Sequence, residues 1–99
     1  NPEQLLAAAH ASCFSMALSN TLAQAGTPAE SVRTDAVVTL RPIDGTPTIT
    51  SIALNVVGVV PGIDEAAFRE FAEQTKTGCI VSRALAAVPE MTVEATLEG

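Results

Sequence analysis

The sequence predicts an α+β fold, and three observations support this prediction. One long apolar helix pattern opens the chain, two alternating apolar segments flank an Asp-Gly turn, and a helix pair precedes a final alternating segment. Helices and strands that are segregated in this way are typical of helices packed against one side of a sheet. The chain has 99 residues, which is the length of one domain. We therefore expect residues 1–99 to form a single domain.

The first predicted element is a helix over residues 2–25. Asn1 is a favoured N-cap, Pro2 is favoured at the first helical position, and Gly26 ends the pattern. The helix contains few charges. It carries an i, i+4 series of apolar or small residues, Leu5, Ala9, Cys13 and Ala17, and the apolar residues Leu6 and Met16 lie beside this series. This pattern predicts a central, largely buried helix.

A β-hairpin is predicted next. Residues 32–40 alternate, with Val32, Ala36, Val38 and Leu40 on one side and Arg33, Asp35 and Thr39 on the other. Residues 41–47 are rich in turn formers and contain Asp-Gly at their centre. Residues 48–60 form the second strand, in which Gly58 predicts a bulge because the apolar phase changes around it.

Two helices and a strand complete the predicted fold. Asp64 caps a helix that ends at Gly78, and the apolar residues Phe68, Phe71 and Ala72 mark its buried side. Residues 79–87 form a second, short helix. Residues 91–97 alternate between apolar and polar side chains, which predicts the final strand.

The composition excludes several classes of protein. The net charge is −6, with 11 acidic and 5 basic residues, so no basic patch is available for nucleic acid. No apolar run approaches the roughly 20 residues that span a membrane, and the first residues do not resemble a signal peptide. Apolar residues make up 47% of the chain without any Trp or Tyr, so we expect a core of small residues, with close helix packing or a shared dimer core.

Two cysteines are too few for a disulfide scaffold, and a cytoplasmic location is the default. Cys13 lies among small apolar residues, where a cysteine often serves as a small hydrophobe. Reactivity would require a positive partner or hydrogen-bond donors, and His10 is a candidate on the same helical side, although a histidine there is more often only packed or exposed. Cys79 begins a helix, whose free N–H groups stabilise a thiolate, while Arg83 is expected to be a surface residue.

Other roles for the two cysteines stay open at this point. A structural disulfide across 66 positions would contribute about 4 kcal/mol in the loop-entropy model. A metal site is less favoured, because one histidine and two cysteines without Cys-x-x-Cys spacing do not complete a four-ligand shell. Nucleophilic hydrolysis by a Cys–His dyad lacks an evident third group.

Three segments resemble a known family. Residues 1–14, NPEQLLAAAHASCF, resemble the signature helix of the OsmC/Ohr family, the osmotically inducible and organic hydroperoxide resistance proteins. Residues 60–64, VPGID, and residues 78–82, GCIVS, resemble later segments of the same family. The three segments occur in the family's order and extend over nearly the whole chain. The sequence AHASCF is more similar to the OsmC branch than to the Ohr branch.

The resemblance implies an intertwined homodimer and a cysteine-based peroxidase. The expected substrates are organic hydroperoxides and, less well, hydrogen peroxide, in defence against oxidative and osmotic stress. Cys13 would attack the peroxide and become a sulfenic acid, and Cys79 would resolve it as a disulfide. The implied reductant is a lipoyl-type dithiol on another protein, and no metal, haem or flavin cofactor is expected. Helix-terminus electrostatics alone would instead make Cys79 the thiol of lower pKa.

The family also holds its thiolate with an Arg–Glu pair. Glu3 matches the glutamate, whereas the arginine belongs to a preceding strand segment that we expect these residues to lack. Glu3 and Cys13 are ten residues apart on one helix, or about 15 Å along its axis, so a second copy would have to supply Glu3. The simpler role for Glu3 is to complement the helix dipole. The alternative function is a non-catalytic OsmC-like domain that binds a ligand or is held by a permanent disulfide.

Overall fold

The computed structural model describes residues 1–98 and begins with helix α1, Pro2–Gln24. The side chain of Asn1 caps the helix, because its Oδ1 accepts a hydrogen bond from the backbone N–H of Gln4 at 2.8 Å. Beyond the helix, Gly26 adopts a φ of 85°, a conformation that glycine tolerates without strain. The first predicted element is therefore confirmed.

Strands β1, Ser31–Ile43, and β2, Thr46–Val59, form an antiparallel hairpin. Asp44 and Gly45 form the whole turn, and both have positive φ, at 49° and 77°. The predicted hairpin is confirmed, but the predicted turn over residues 41–47 is too long. Because these two residues reverse the direction of the chain, the residues on either side of them remain paired between the two strands.

The predicted bulge at Gly58 is wrong. Gly58 pairs regularly with Val32, and the register shifts instead between Thr39 and Leu40. Gly58 has a different role, because a Cβ on this residue would lie 2.5 Å from Cζ of Phe68. The missing side chain thus makes room for an aromatic ring in the core.

Helix α2, Glu65–Gly78, is followed by α3, Ile80–Ala84, and by strand β3, Glu90–Leu97. The predicted cap is confirmed, since the Asp64 carboxylate accepts from the backbone N–H of Ala67 at 2.8 Å. Helix α3 is shorter than the predicted 79–87. The last residues of the predicted helix instead form a turn before Pro89, because a proline keeps the residue before it out of the helical conformation.

The three strands lie in the order β1-β2-β3, with β3 parallel to β2. A parallel neighbour requires a crossover connection, and α2 with α3 provides it. The register aligns Ala36, Leu54 and Val93 across the sheet on the side that packs against the helices. The buried apolar core consists of Phe14, Leu18, Leu22, Ile52, Leu54, Val56, Val60, Phe68, Ala72 and Ala95.

Helix α1 buries only one of its sides. That side carries the fully buried residues His10, Phe14, Leu18 and Leu22. On the opposite side, Leu5 is 73% exposed and Met16 is 70% exposed. The prediction of a largely buried helix is therefore wrong for one copy of the chain, because the sheet and α2 cover only the side that carries Phe14.

The length and composition of α1 also correct the expectation about membranes. The helix has 23 residues, and an 18-residue window within it has a mean hydropathy of 1.2, which is sufficient to cross a membrane by length and composition alone. In the structure the buried side of α1 packs against β1 and α2. A helix that packs into a protein core meets the same two criteria.

Candidate active site

The two cysteines meet where α1 passes the junction of α2 and α3. Sγ of Cys79 lies 3.0 Å from Sγ of Cys13, and both are free thiols. The junction fixes Cys79 through its backbone, whose N–H donates to the carbonyl of Thr75 at 2.8 Å and whose carbonyl accepts from Arg83 at 3.0 Å. Two residues that are 66 positions apart thus form one dithiol centre.

The two thiols differ in their access to solvent. Cys79 is 1% exposed, whereas Cys13 is only half-buried. Both line a cleft of about 460 Å³ between α1 and the start of α3. Its other lining residues are mostly apolar or small and comprise Ala9, Ser12, Met16, Ala17, Asn20, Gly78 and Ile80. A small molecule that enters this cleft therefore reaches Cys13 more readily than Cys79.

The pKa values of the two thiols move in opposite directions. Burial raises the pKa of Cys13, but the hydrogen bond from Cys79 and hydrogen bonds with the backbone of Val81 and Ile80 outweigh it, so the net pKa is lowered. Burial raises the pKa of Cys79, and so does the hydrogen bond to Cys13. The start of α3 therefore stabilises a thiolate on Cys13, contrary to the expectation from the helix terminus alone.

His10 contacts Ser82 on α3. Its Nε2 lies 2.7 Å from Oγ of Ser82, and both side chains are buried. Burial lowers the pKa of His10 and so favours the neutral imidazole. The sequence indicated His10 but missed Ser82, although a serine three residues after Cys79 falls on the same helical side. Arg83 is exposed, as expected.

Glu3 does not join the dithiol centre within one chain. It is half-buried near the start of α1 and lines a separate cleft beside Ala36 and Val38 of β1. This location agrees with the separation of Glu3 and Cys13 along the helix. Within residues 1–98, no group of three or more His, Cys, Asp or Glu side chains is arranged to hold a metal ion.

The fold and the facing thiols define an α+β protein with a dithiol centre. Its backbone superposes on a putative redox protein from Lactobacillus casei with a TM-score of 0.80, at 22% identity over 99% of this chain and 67% of that one. The organic hydroperoxide resistance protein OhrB of Bacillus subtilis gives 0.79, at 26% identity over 99% and 70%. The predicted OsmC/Ohr-like fold is thereby confirmed.

Sequence comparison identifies the family. Residues 1–94 match the sequence model of a protein family, OsmC, which is described as OsmC-like protein. Peroxiredoxin OsmC of Escherichia coli K12 is 46% identical over all 99 residues, which span 68% of that protein. The chain belongs to the OsmC family. The resemblance seen in the sequence is confirmed, and the predicted enzyme class, a peroxidase, agrees with the name of this relative.

Proposed function

We propose that the protein is a cysteine-based peroxidase that reduces organic hydroperoxides and, less well, hydrogen peroxide. The observation that carries this proposal is the approach of Cys79 Sγ to Cys13 Sγ at 3.0 Å, at an apolar cleft. The mostly apolar walls suit the organic part of an alkyl hydroperoxide. The names of the relatives, a peroxiredoxin and an organic hydroperoxide resistance protein, support the same chemistry.

Cys13 is the attacking residue in this proposal. It is the more exposed thiol and the one whose pKa is lowered, so it is the more readily ionised of the two. The Cys13 thiolate attacks the terminal peroxide oxygen, the O–O bond breaks, and the alkoxide leaves as an alcohol after taking a proton from water. Cys13 becomes a sulfenic acid, and the peroxide has gained two electrons.

Cys79 resolves this intermediate. Its sulfur attacks Cys13 Sγ, the S–S bond forms and the S–O bond breaks, and the hydroxide leaves as water with the proton lost by Cys79. A disulfide requires only a short movement of sulfurs that begin 3.0 Å apart. A lipoyl-type dithiol on another protein then reduces the disulfide, and we place the reaction in the cytoplasm, in the response to oxidative and osmotic stress.

Glu3 completes the site from a second copy in a homodimer. Within one chain it lines a different cleft from Cys13. The outward side of α1 carries Leu5 and Met16, and Ile80 beside the cleft is 69% exposed. Exposed apolar residues of this kind mark a protein interface, and a partner there would also shield the cleft from water.

A thiol titration tests the proposal against the alternative of a non-catalytic OsmC-like domain. Free thiols are counted before and after one equivalent of cumene hydroperoxide, with Cys13→Ser as the matched control. The peroxidase loses both thiols rapidly, and the control keeps its remaining thiol. Unchanged thiols in the wild type would indicate a ligand-binding domain. Absence of free thiols at the outset would indicate a permanent structural disulfide.

A further inference from the structure

His10 is a buried polar residue whose hydrogen bonds are only half satisfied. The side chain is 0% exposed, Nε2 contacts Ser82 Oγ at 2.7 Å, and Nδ1 is buried without a partner among residues 1–98. Leaving a buried polar atom unpaired costs stability, and an apolar side chain of similar size would fill this space without that cost. Such a residue calls for an explanation beyond packing.

Ser82 connects His10 to the dithiol centre. It follows Cys79 by three residues in α3, so the two side chains lie on the same side of the chain, and both are buried. Through a hydrogen bond its hydroxyl acts to lower the pKa of Cys79, against the burial that raises it. A serine hydroxyl has one proton to donate and lone pairs to accept with. If that proton points to Cys79, the contact with His10 must be donated by the imidazole.

The tautomer of His10 follows from this network. The neutral ring carries one proton, and placing it on Nε2 lets the ring donate to Ser82 Oγ and leaves Nδ1 as an unpaired acceptor. The opposite tautomer would leave a buried N–H donor unpaired and would draw the Ser82 proton away from Cys79. In this arrangement the donors all point the same way, from His10 through Ser82 and Cys79 to Cys13.

We propose that His10 is a positioning residue for the resolving step, in which it orients the Ser82 hydroxyl so that this hydroxyl stabilises the Cys79 thiolate. The inference rests on the proposed function, since it assigns the resolving role to Cys79. When Cys13 is a sulfenic acid, Cys79 must lose its proton in a buried environment that favours the neutral thiol. The oriented hydroxyl offsets that burial and speeds formation of the S–S bond, and the proton leaves with the hydroxide as water.

Rapid-quench mass spectrometry of the full-length protein separates the two steps. After mixing with one equivalent of cumene hydroperoxide, the sulfenic acid is followed as the gain of one oxygen and the disulfide as the loss of two hydrogens. We expect His10→Met and Ser82→Ala each to slow the disulfide step about tenfold or more. Ser82→Ala removes a hydrogen bond to a charged sulfur, and His10→Met removes the contact that orients this hydrogen bond. Formation of the sulfenic acid should change by less than about twofold.

Three further variants distinguish positioning from packing. His10→Gln keeps an N–H donor near the place of Nε2 and should restore most of the disulfide rate. His10→Met combined with Ser82→Ala should be no slower than either change alone, because both interrupt one path. Leu22→Val removes core packing three turns further along α1 and should change neither step.

The outcomes separate this inference from the proposed function. If wild-type Cys13 gains no oxygen, the peroxidase itself is wrong. If Cys13 is oxidised but His10→Met forms the disulfide at the wild-type rate, the positioning role of His10 is wrong. Equal slowing of both steps in His10→Met, or additive effects in the double variant, would likewise overturn it.

Discussion

Cys79 donates its thiol hydrogen to Cys13 across a sulfur–sulfur distance of 3.0 Å. This contact stabilises a thiolate on Cys13 and the neutral thiol on Cys79, so it lowers one pKa and raises the other. In the proposed mechanism, Cys79 therefore acts before any peroxide arrives. It favours the thiolate of Cys13, and its own raised pKa makes Cys79 the less readily ionised of the two thiols.

The first prediction concerns the ionisation of Cys13. Cys79→Ala removes the donor, so the pKa of Cys13 should rise and alkylation of Cys13 by iodoacetamide at pH 6 to 7 should slow roughly three- to tenfold. Cys79→Ser retains an O–H donor and is the matched control, expected to stay close to the wild type. Because the folded-state pKa of Cys13 is lowered, the thiolate is lost as the pH falls through that lowered value. Equal alkylation profiles for Ala and Ser at position 79 would contradict the role of the hydrogen bond.

The second prediction assigns the attacker and the resolver. In Cys79→Ser the sulfenic acid at Cys13 has no partner thiol, so it should accumulate and react with dimedone. In Cys13→Ser the buried Cys79, whose pKa is raised, should form no adduct. Peptide mass mapping after hydroperoxide treatment locates the adduct. An adduct on Cys79, or none in Cys79→Ser, would reverse or remove the assignment.

The third prediction tests the shared site of the proposed homodimer. Glu3→Gln and Cys13→Ser should each lose most of the peroxidase activity as pure dimers. After mixing and subunit exchange, the heterodimer has one site with Cys13 from one copy and Glu3 from the other, so activity should return toward about one quarter of the wild type if exchange is random. Peroxide consumption is measured before and after exchange, and mixing wild type with Cys13→Ser is the control. If Glu3 acted within its own chain, no heterodimer site would be intact and mixing would restore nothing.

The sequence predicted the elements of this fold because their signals are local. The caps at Asn1 and Asp64 and the Asp44-Gly45 turn depend on a few neighbouring residues, and all three form in the structure. The meeting of Cys13 and Cys79 was expected only from the family resemblance, since it depends on how α1 crosses the α2–α3 junction. A pattern along one helix does not contain that information.

Other features of the site depend on packing and were missed for that reason. The partnership of His10 with Ser82 joins two helices that are far apart in sequence, and nothing local to either residue indicates it. The buried side of α1 was misjudged because apolar residues occur on most of its sides. With the apolar pattern so broad, only the position of the sheet decides that Phe14 is buried and Leu5 is exposed.

The fourth prediction concerns the packing of Phe68 against Gly58, the residue at which the sequence predicted a bulge. A Cβ on Gly58 would lie 2.5 Å from Phe68 Cζ, so Gly58→Ala should push the ring out of place and lower the free energy of unfolding by about 1–3 kcal/mol, measured by urea denaturation. Gly78→Ala is the matched control, because no other part of the described chain beyond its neighbours and its own helix backbone lies within 4 Å of its Cβ position, and alanine is the better helix former.

A smaller side chain at position 68 should relieve the same clash. Phe68→Leu alone loses buried contacts and destabilises the protein, but in the Gly58→Ala background it should cost less or even restore stability, because the leucine leaves space for the new methyl group. The coupling between the two changes is then favourable in a double-mutant cycle. Additive effects, or a Gly58→Ala variant as stable as the wild type, would mean that the ring moves aside freely and that Gly58 is not what admits Phe68 to the core.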